Sequence, residues 1–246
     1  MQIIPAFVTQ NKCYQAGAPL TPRGIMLHSV GTPQPSAAVF ARSFNQYQPG
    51  GVSVCVHAFA QADGTVYQTL PWEMRGWHCG GSANSTHIGV EMTEPSAGMT
   101  RSEAAEQIAG TYHTAVELFA ALCKQYGLDP AQDGVIIGHA EGHRRGVASN
   151  HADPELLWRT YDMGYTMDGF RRDVAEAMKN GAREEALDMP RYDSVAEMPQ
   201  WARADAQRLI DRGALQGNTD GKLDVSEDML RTMIVCQRML DEQKET

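Results

Sequence analysis

Gly138–Glu155 reads GHAEGHRRGVASNHADPE, eighteen residues that hold three histidines (139, 143, 151) and three carboxylates (141, 153, 155). The apolar run Val135-Ile136-Ile137 before it has the look of a buried strand, and Pro154-Glu155-Leu156-Leu157-Trp158 after it that of a helix start. Glycines at 138, 142 and 146, with Ser149-Asn150, mark most of the stretch as loop. A loop so rich in imidazole and carboxylate, launched from the end of a core strand, is built as a site, since solvation alone needs no three histidines.

The rest of the chain bounds what such a site can serve. Its 246 residues can bury one core of ordinary size with some chain left over. A hydrophobic fraction of 42% with 21% charged residues is that of a water-soluble globular protein. The formal net charge of −9, with no basic stripe, argues against nucleic-acid binding. No apolar run approaches membrane-spanning length, so membrane insertion is not expected. The N-terminus MQIIPAFVTQNKCY lacks the pattern of a secretory signal, and synthesis in the cytoplasm is the expectation. Five widely spaced cysteines with no CxxC indicate neither a disulfide framework nor a zinc ribbon.

Taken in order, residues 1–22 read as loop, with prolines at 5, 19 and 22. Gly24–His28 is a short apolar strand that delivers His28 at its end. Ser36 can cap a helix to about Gln46 that carries Val39, Phe40 and Phe44. Val52–Gln61 and Thr65–Leu70 flank Asp63-Gly64, a hairpin signal. Gly76–Gly81 is a glycine-rich loop, and Thr86–Met92 alternates, which sets Glu91 on the face opposite Ile88, Val90 and Met92. Thr100-x-x-Glu103 is a capping box for a helix to Tyr126 that Gly127 ends. Thr166–Asn180 is a last amphipathic helix closed by Gly181. Beyond it, 182–191 reads as a charged linker or a continuing helix, and from Tyr192 a self-contained pattern follows: a helix at Trp201–Gly213, a turn at Gly217–Gly221, and a final helix capped by Ser226. The division expected is therefore 1–181, 182–191 and 192–246.

His28 and His139 each end an apolar strand, so a sheet that pairs those strands brings the imidazoles together. Asp153 follows His139 by fourteen residues, enough chain to fold back. Two imidazoles and a carboxylate with an open position suit a catalytic Zn²⁺, which activates water and polarises a carbonyl. Any one of these histidines alone reads more simply as a polar residue at a strand end, and it is the joint pattern that carries weight.

Residues 20–160 resemble the type-2, zinc-dependent N-acetylmuramoyl-L-alanine amidases, related to peptidoglycan recognition proteins and found in many phage endolysins. The matching pieces are Ile25-Met26-Leu27-His28-Ser29, Val56-His57 before Asp63-Gly64, Gly76-Trp77-His78, Ile88-Gly89-Val90-Glu91, and Gly138-His139 through His151-Ala152-Asp153-Pro154, in the family's order. Ala148–Asp153 further resembles the branch of endolysins and prophage amidases of spore-forming Gram-positive bacteria. The resemblance implies an α/β fold, a mixed sheet flanked by helices, and hydrolysis of the amide between N-acetylmuramic acid and L-alanine in peptidoglycan, on the wall after release. Carried over residue by residue, His28, His139 and Asp153 match the zinc ligands, with His143 in reserve for Asp153. Glu91 matches the acid that assists the water. His151 stands where relatives carry an oxyanion-stabilising lysine, a departure that trades an ammonium for an imidazole. Trp77, His78 and Asn150 are the expected substrate contacts, His57 a structural or supporting group, and Glu141 with Arg144-Arg145 a solvated loop face. Two other functions fit less of the pattern: a peptidoglycan binder without catalysis, which commonly lacks a zinc ligand, and a zinc peptidase that cuts within the stem peptide.

In the tail, Met198–Ala202, Leu209–Gly213 and Leu223–Arg231 resemble part of an S-layer-homology-like module, a single copy where such modules usually come in several. Acidic residues outnumber basic ones in 181–246 by 14 to 9, which disfavours an anionic wall polymer as partner and favours self-association or packing within the chain. Its apolar positions, among them Trp201, Leu209, Ile210, Met229, Leu230 and Ile234, exceed what short helices are expected to cover among themselves.

Overall fold

Three short apolar runs from distant parts of the chain lie side by side at its centre, and everything near them is arranged to cover their two faces. The computed structural model describes residues 1–46, 54–188 and 190–242, with the backbone alone at 182–188 and 239–242. In chain order these form β1 (Gln2–Pro5), α1 (Lys12–Ala16), β2 (Gly24–Ser29), α2 (Ala37–Phe44), β3 (Ala58–Ala60), β4 (Thr65–Gln68), β5 (His87–Met92), α3 (Arg101–Tyr126), β6 (Ile136–Gly138), α4 (His139–Arg144), α5 (Glu155–Thr160), α6 (Met167–Asp188), β7 (Arg191–Tyr192), α7 (Gln200–Asp211), β8 (Val225–Ser226) and α8 (Glu227–Glu242). The chain divides into two compact units, Met1–Asn180 and Gly181–Thr246.

In the first unit six strands form one sheet in the order β1-β4-β3-β5-β2-β6. Every neighbouring pair is parallel except β3–β4, the hairpin turned at Asp63-Gly64. The sheet is thus mixed, as expected. Its inner strands are apolar on both faces because helices cover both, the usual condition of parallel strands. Ile25, Leu27, Ile88, Val90 and Ile136 are buried in one cluster with Ile108, Tyr112, Ala115, Phe119 and Leu122 of α3, and with Trp158 and Phe170. The α3 positions recur at helical spacing, and the helix starts at the expected capping box: Thr100 N–H donates to Glu103 Oε2 (2.7 Å), and Glu103 N–H to Thr100 Oγ1 (3.3 Å). Truncating a fully buried ring such as Phe119 to alanine costs about 3–5 kcal/mol in a core of this kind.

Several local expectations change. The N-terminal segment is not all loop, for β1 pairs with β4 at the sheet edge, where Pro5 costs no ladder bond that the sheet needs. The strand read at 52–61 is ordered as β only at Ala58–Ala60; Cys55 pairs in isolation with Trp77, and Val52 and Ser53 lie outside the described residues. Gly181 does not end α6, which runs to Asp188, so of the two readings of 182–191 the continuing helix applies to 182–188. A helix-interior glycine costs only about 1 kcal/mol, and the good helix formers Arg183-Glu184-Glu185-Ala186-Leu187 outweigh it.

The second unit has its own core. Met198, Ala202, Ala206, Leu209, Leu215, Val225, Leu230 and Ile234 are buried together. Ser226 Oγ accepts from Met229 N–H (3.3 Å) at the start of α8, the cap expected there. The antiparallel pair β7–β8, with Tyr192 opposite Val225, was not expected from the sequence. Part of the expected excess of apolar surface is covered within the unit, where α7, α8 and this small ladder bury Leu209, Leu230 and Ile234, while Trp201, Met229 and Val235 remain exposed. Among the described residues no helix is long and apolar enough to cross a membrane.

Candidate active site

Sheet register assembles the site. His28 on β2 lies opposite Glu91 on β5, and Leu27 lies opposite Gly138, the last residue of β6 before His139. Three adjacent parallel strands therefore end at one level with Glu91, His28 and His139, the edge at which α/β sheets place their ligands. Asp153 returns to this edge as its carbonyl accepts from Ala140 N–H (3.0 Å). One ligand atom from each of His28, His139 and Asp153 lies within 4.8 Å of the others. Nδ1 of His28 is 3.0 Å from Nδ1 of His139 and 3.2 Å from Asp153 Oδ2, and His139 Nδ1 is 3.7 Å from Asp153 Oδ1. His28, His139, Asp153 and Glu91 all border a cavity of about 920 Å³.

The electrostatics follow from burial. Desolvation lowers His139 to about 4, and the nearby His28 adds to that. Desolvation also opposes the charge on His28, yet the Asp153 hydrogen bond and the Glu91 charge raise it above the ordinary histidine range. Burial alone would raise Asp153, but the bond from His28 and the charges of the two imidazoles hold it below the usual carboxylate range. Glu91, half-buried, is pushed up to about 7 by desolvation, with His28 pulling the other way. Its Oε2 is buried and has no hydrogen-bond partner among the described residues. A carboxyl near neutrality with a free oxygen is suited to accept and return a proton. Ligand atoms that converge in this way repel one another unless a proton or a cation sits among them.

The other expected residues fall into different places. His151 is exposed at the cavity and stacks on His139 with ring centroids 4.5 Å apart. Trp77 lines the cavity and is tied by backbone to Cys55. His78 also borders it, but both ring nitrogens are engaged, Nδ1 with His28 Nε2 (2.9 Å) and Nε2 with the His87 carbonyl (3.2 Å). Asn150 and His143 are exposed and not part of the cavity wall, so the reserve ligand stays apart from the cluster. His143 lies instead on α4, a helical turn inside what reads as loop; Glu141 Oε2 accepts from Gly138 N–H (3.2 Å) and caps it. Glu141 is no solvated face either, since Arg171 grips both its oxygens at 3.0 and 3.1 Å. His57 is buried, accepting from Gly89 N–H (2.9 Å) and donating to the Met74 carbonyl (2.8 Å). Sequence reasoning missed Ser149, whose hydroxyl lies 3.3 Å from His139 Nε2, and Asn84, buried behind the glycine-rich loop. Only their place between glycines and the site histidines hints at either.

Comparison with known proteins agrees with this layout. The N-acetylmuramoyl-L-alanine amidase family model (Amidase_2) matches residues 18–156. Among solved structures, the Staphylococcus aureus hydrolase AmiA, crystallised with its ligand, superposes with a TM-score of 0.58 at 22% identity, over 74% of this chain and 86% of that one. The catalytic domain of XlyA gives 0.53 at 23% identity over 71% and 99%, and a mutant endolysin from Bacillus subtilis 0.51 at 21% over 71% and 99%. At these identities the likeness is one of fold. No curated protein is similar enough to match. The family model spans more than half of the chain and every residue from His28 to Asp153, and the protein therefore belongs to the N-acetylmuramoyl-L-alanine amidase family, Amidase_2.

Proposed function

We propose that this peptidoglycan amidase is a zinc enzyme that cuts the bond between the lactyl group of N-acetylmuramic acid and L-alanine. The observation that carries the metal is the convergence of His28 Nδ1, His139 Nδ1 and Asp153 at one point of the cavity wall, a nitrogen and oxygen donor set that fits Zn²⁺. Bound there, the ion would act as a Lewis acid towards the amide carbonyl and lower the pKa of a bound water. Glu91 takes the proton of the attacking water and passes it to the leaving amine, a task for which its position near pH 7 is matched. His151 stands over His139 at the cavity and donates a hydrogen bond to the oxygen that gains charge. Trp77 and the exposed Leu156 give the cavity apolar walls for the peptide stem.

Digestion of purified wall tests the bond. Free L-alanine amino groups should appear without new sugar reducing ends; new reducing ends, or cleavage between amino acids of the stem, would contradict it. Action on the wall after release from the cell, as in phage lysis, is part of the same proposal.

For residues 192–246 we propose self-association, on the strength of the exposed Trp201, Met229 and Val235 and the acidic balance of the tail. A chain ended after Asp188 should lose the full-length oligomeric state in light scattering. If it keeps that state and loses wall sedimentation instead, the tail is a wall anchor.

A further inference from the structure

The outer nitrogens of the two site histidines are tied to one short segment, Gly76–Asn84, that of His28 directly and that of His139 through Ser149. His28 Nε2 lies 2.9 Å from His78 Nδ1, and His78 Nε2 lies 3.2 Å from the His87 carbonyl oxygen. A carbonyl can only accept, so His78 carries its proton on Nε2 and offers a lone pair at Nδ1. His28 Nε2–H fills that lone pair. On the other side, Ser149 Oγ donates to the Cys79 carbonyl (3.0 Å), and having spent its proton there it accepts from His139 Nε2–H (3.3 Å). Both imidazoles thus carry a proton on the outer nitrogen, with Nδ1 turned towards Asp153 and the proton shared there the one a metal would displace.

The loop that receives these bonds is itself fixed. Oδ1 of the buried Asn84 accepts from the backbone N–H of His78 (2.9 Å) and of Cys79 (3.0 Å). Space for the His78 ring exists because its neighbours have no side chain. A Cβ on Gly89 would stand 2.5 Å from His78 Cγ, and one on Gly76 3.0 Å from His78 Cδ2.

We propose that His78 and Ser149 are positioning residues that hold the outer-nitrogen protons and the aim of His28 and His139, so that both Nδ1 atoms face Asp153 and a metal has only the proton shared there to displace. This rests on the zinc reading above and concerns affinity for the ion, not the bond cut. It also gives His78 a task other than contact with the peptide. Partners of this kind typically contribute 10–100-fold to metal affinity, because they remove the cost of choosing the tautomer and ring orientation on binding.

The test measures Zn²⁺ affinity of the full chain by competition with a chromophoric chelator, with circular dichroism and urea unfolding of the metal-free proteins as the control for folding. His78→Phe keeps a ring in the space but removes the lone pair, and should weaken binding about 10–100-fold. His78→Asn places an oxygen acceptor near the same spot and should restore most of the loss. Ser149→Ala should cost roughly tenfold, the lower end of the same range. Folded His78→Phe and Ser149→Ala proteins that bind Zn²⁺ as tightly as wild type overturn the proposal, and so does an asparagine variant as weak as the phenylalanine one. Should His78→Phe fail to fold, Ser149→Ala decides: unchanged affinity overturns the proposal and a loss supports it. A wild-type chain with no affinity for Zn²⁺ overturns the zinc reading and this proposal together, whereas failure of the variants alone overturns only this one.

Discussion

The two compact units treat a buried carboxylate in opposite ways. In the C-terminal unit Asp205 is 5% exposed and is gripped by the guanidinium groups of Arg238 and Arg208, which hold it below the usual carboxylate range. In the N-terminal unit Glu91 is partly buried, keeps one oxygen without a partner among the described residues, and is pushed up to about 7 by desolvation. The first carboxylate is a strut between α7 and α8; the second is kept available at a cavity. Leaving a buried polar atom unpaired costs about 1–3 kcal/mol, and a fold retains such an atom where chemistry uses it.

That contrast can be broken in several places. The largest effect belongs to the acceptor cluster beside Glu91. His139→Ala should leave the purified protein with little bound zinc and no release of L-alanine termini from wall, and chelation of the wild type should do the same, reversed by added Zn²⁺. Full activity in chelator together with no metal by elemental analysis would end the metal reading. Next comes Glu91 itself. Glu91→Gln keeps shape and removes proton transfer, so turnover should fall about 10²–10⁴-fold while metal content and unfolding midpoint stay near wild type. A drop of only a few fold would assign the proton to another group.

A third effect reports on the imidazoles behind the site. The unfolded chain protonates His57 near pH 6.5, the folded one only near 4, because burial opposes the charge. Between those values the unfolded state binds more protons, so this contribution to stability is full above pH 6.5 and is lost as pH falls towards 4. The window spans up to about 3 kcal/mol. Urea unfolding of metal-free protein at steps across it should show the decline, to which the likewise depressed His139 adds, and His57→Gln should make it shallower; an equally steep slope in that variant would assign the protons elsewhere. The smallest effect is at Asp205. Breaking a buried pair costs about 3–5 kcal/mol, but both arginines here are more than half exposed, so Asp205→Ala should cost about 1–2 kcal/mol, without change in wall hydrolysis by the N-terminal unit. A loss of activity at unchanged stability would contradict the division of labour between the two carboxylates.

What could be read in advance tracks how local the cause is. The capping box at Thr100–Glu103, the hairpin at Asp63-Gly64 and the strands of His28, Glu91 and His139 are short-range patterns, and each is found. So is the meeting of His28, His139 and Asp153, which needs only that two strand ends be neighbours. The losses are of another kind. Glycines at 142 and 181 suggested breaks, yet helices pass through both, since a glycine costs little where neighbouring side chains pack or propagate the turn. Glu141 reads as solvent-facing because its partner Arg171 stands 30 residues away. His78 reads as a cleft residue because nothing in its own segment reveals that His28 and the His87 carbonyl meet its two nitrogens. The two-residue ladder at Tyr192 and Val225 is shorter than any pattern can show.

The register of β5, β2 and β6 has a consequence for how this enzyme can vary. His28 stands opposite Glu91, and His139 follows the residue paired with Leu27, so the spacing between the three groups is a property of the ladder, near 4.8 Å per strand, and not of the side chains. A slip of one residue in β2 would turn His28 to the far face and bring Leu27 to the cavity, with no intermediate position available. The geometry of the three groups is therefore digital. Loops around the cavity can lengthen, shorten or exchange, while these three groups keep their separation for as long as the ladder from Ile25–Ile88 to Leu27–Val90 stays paired.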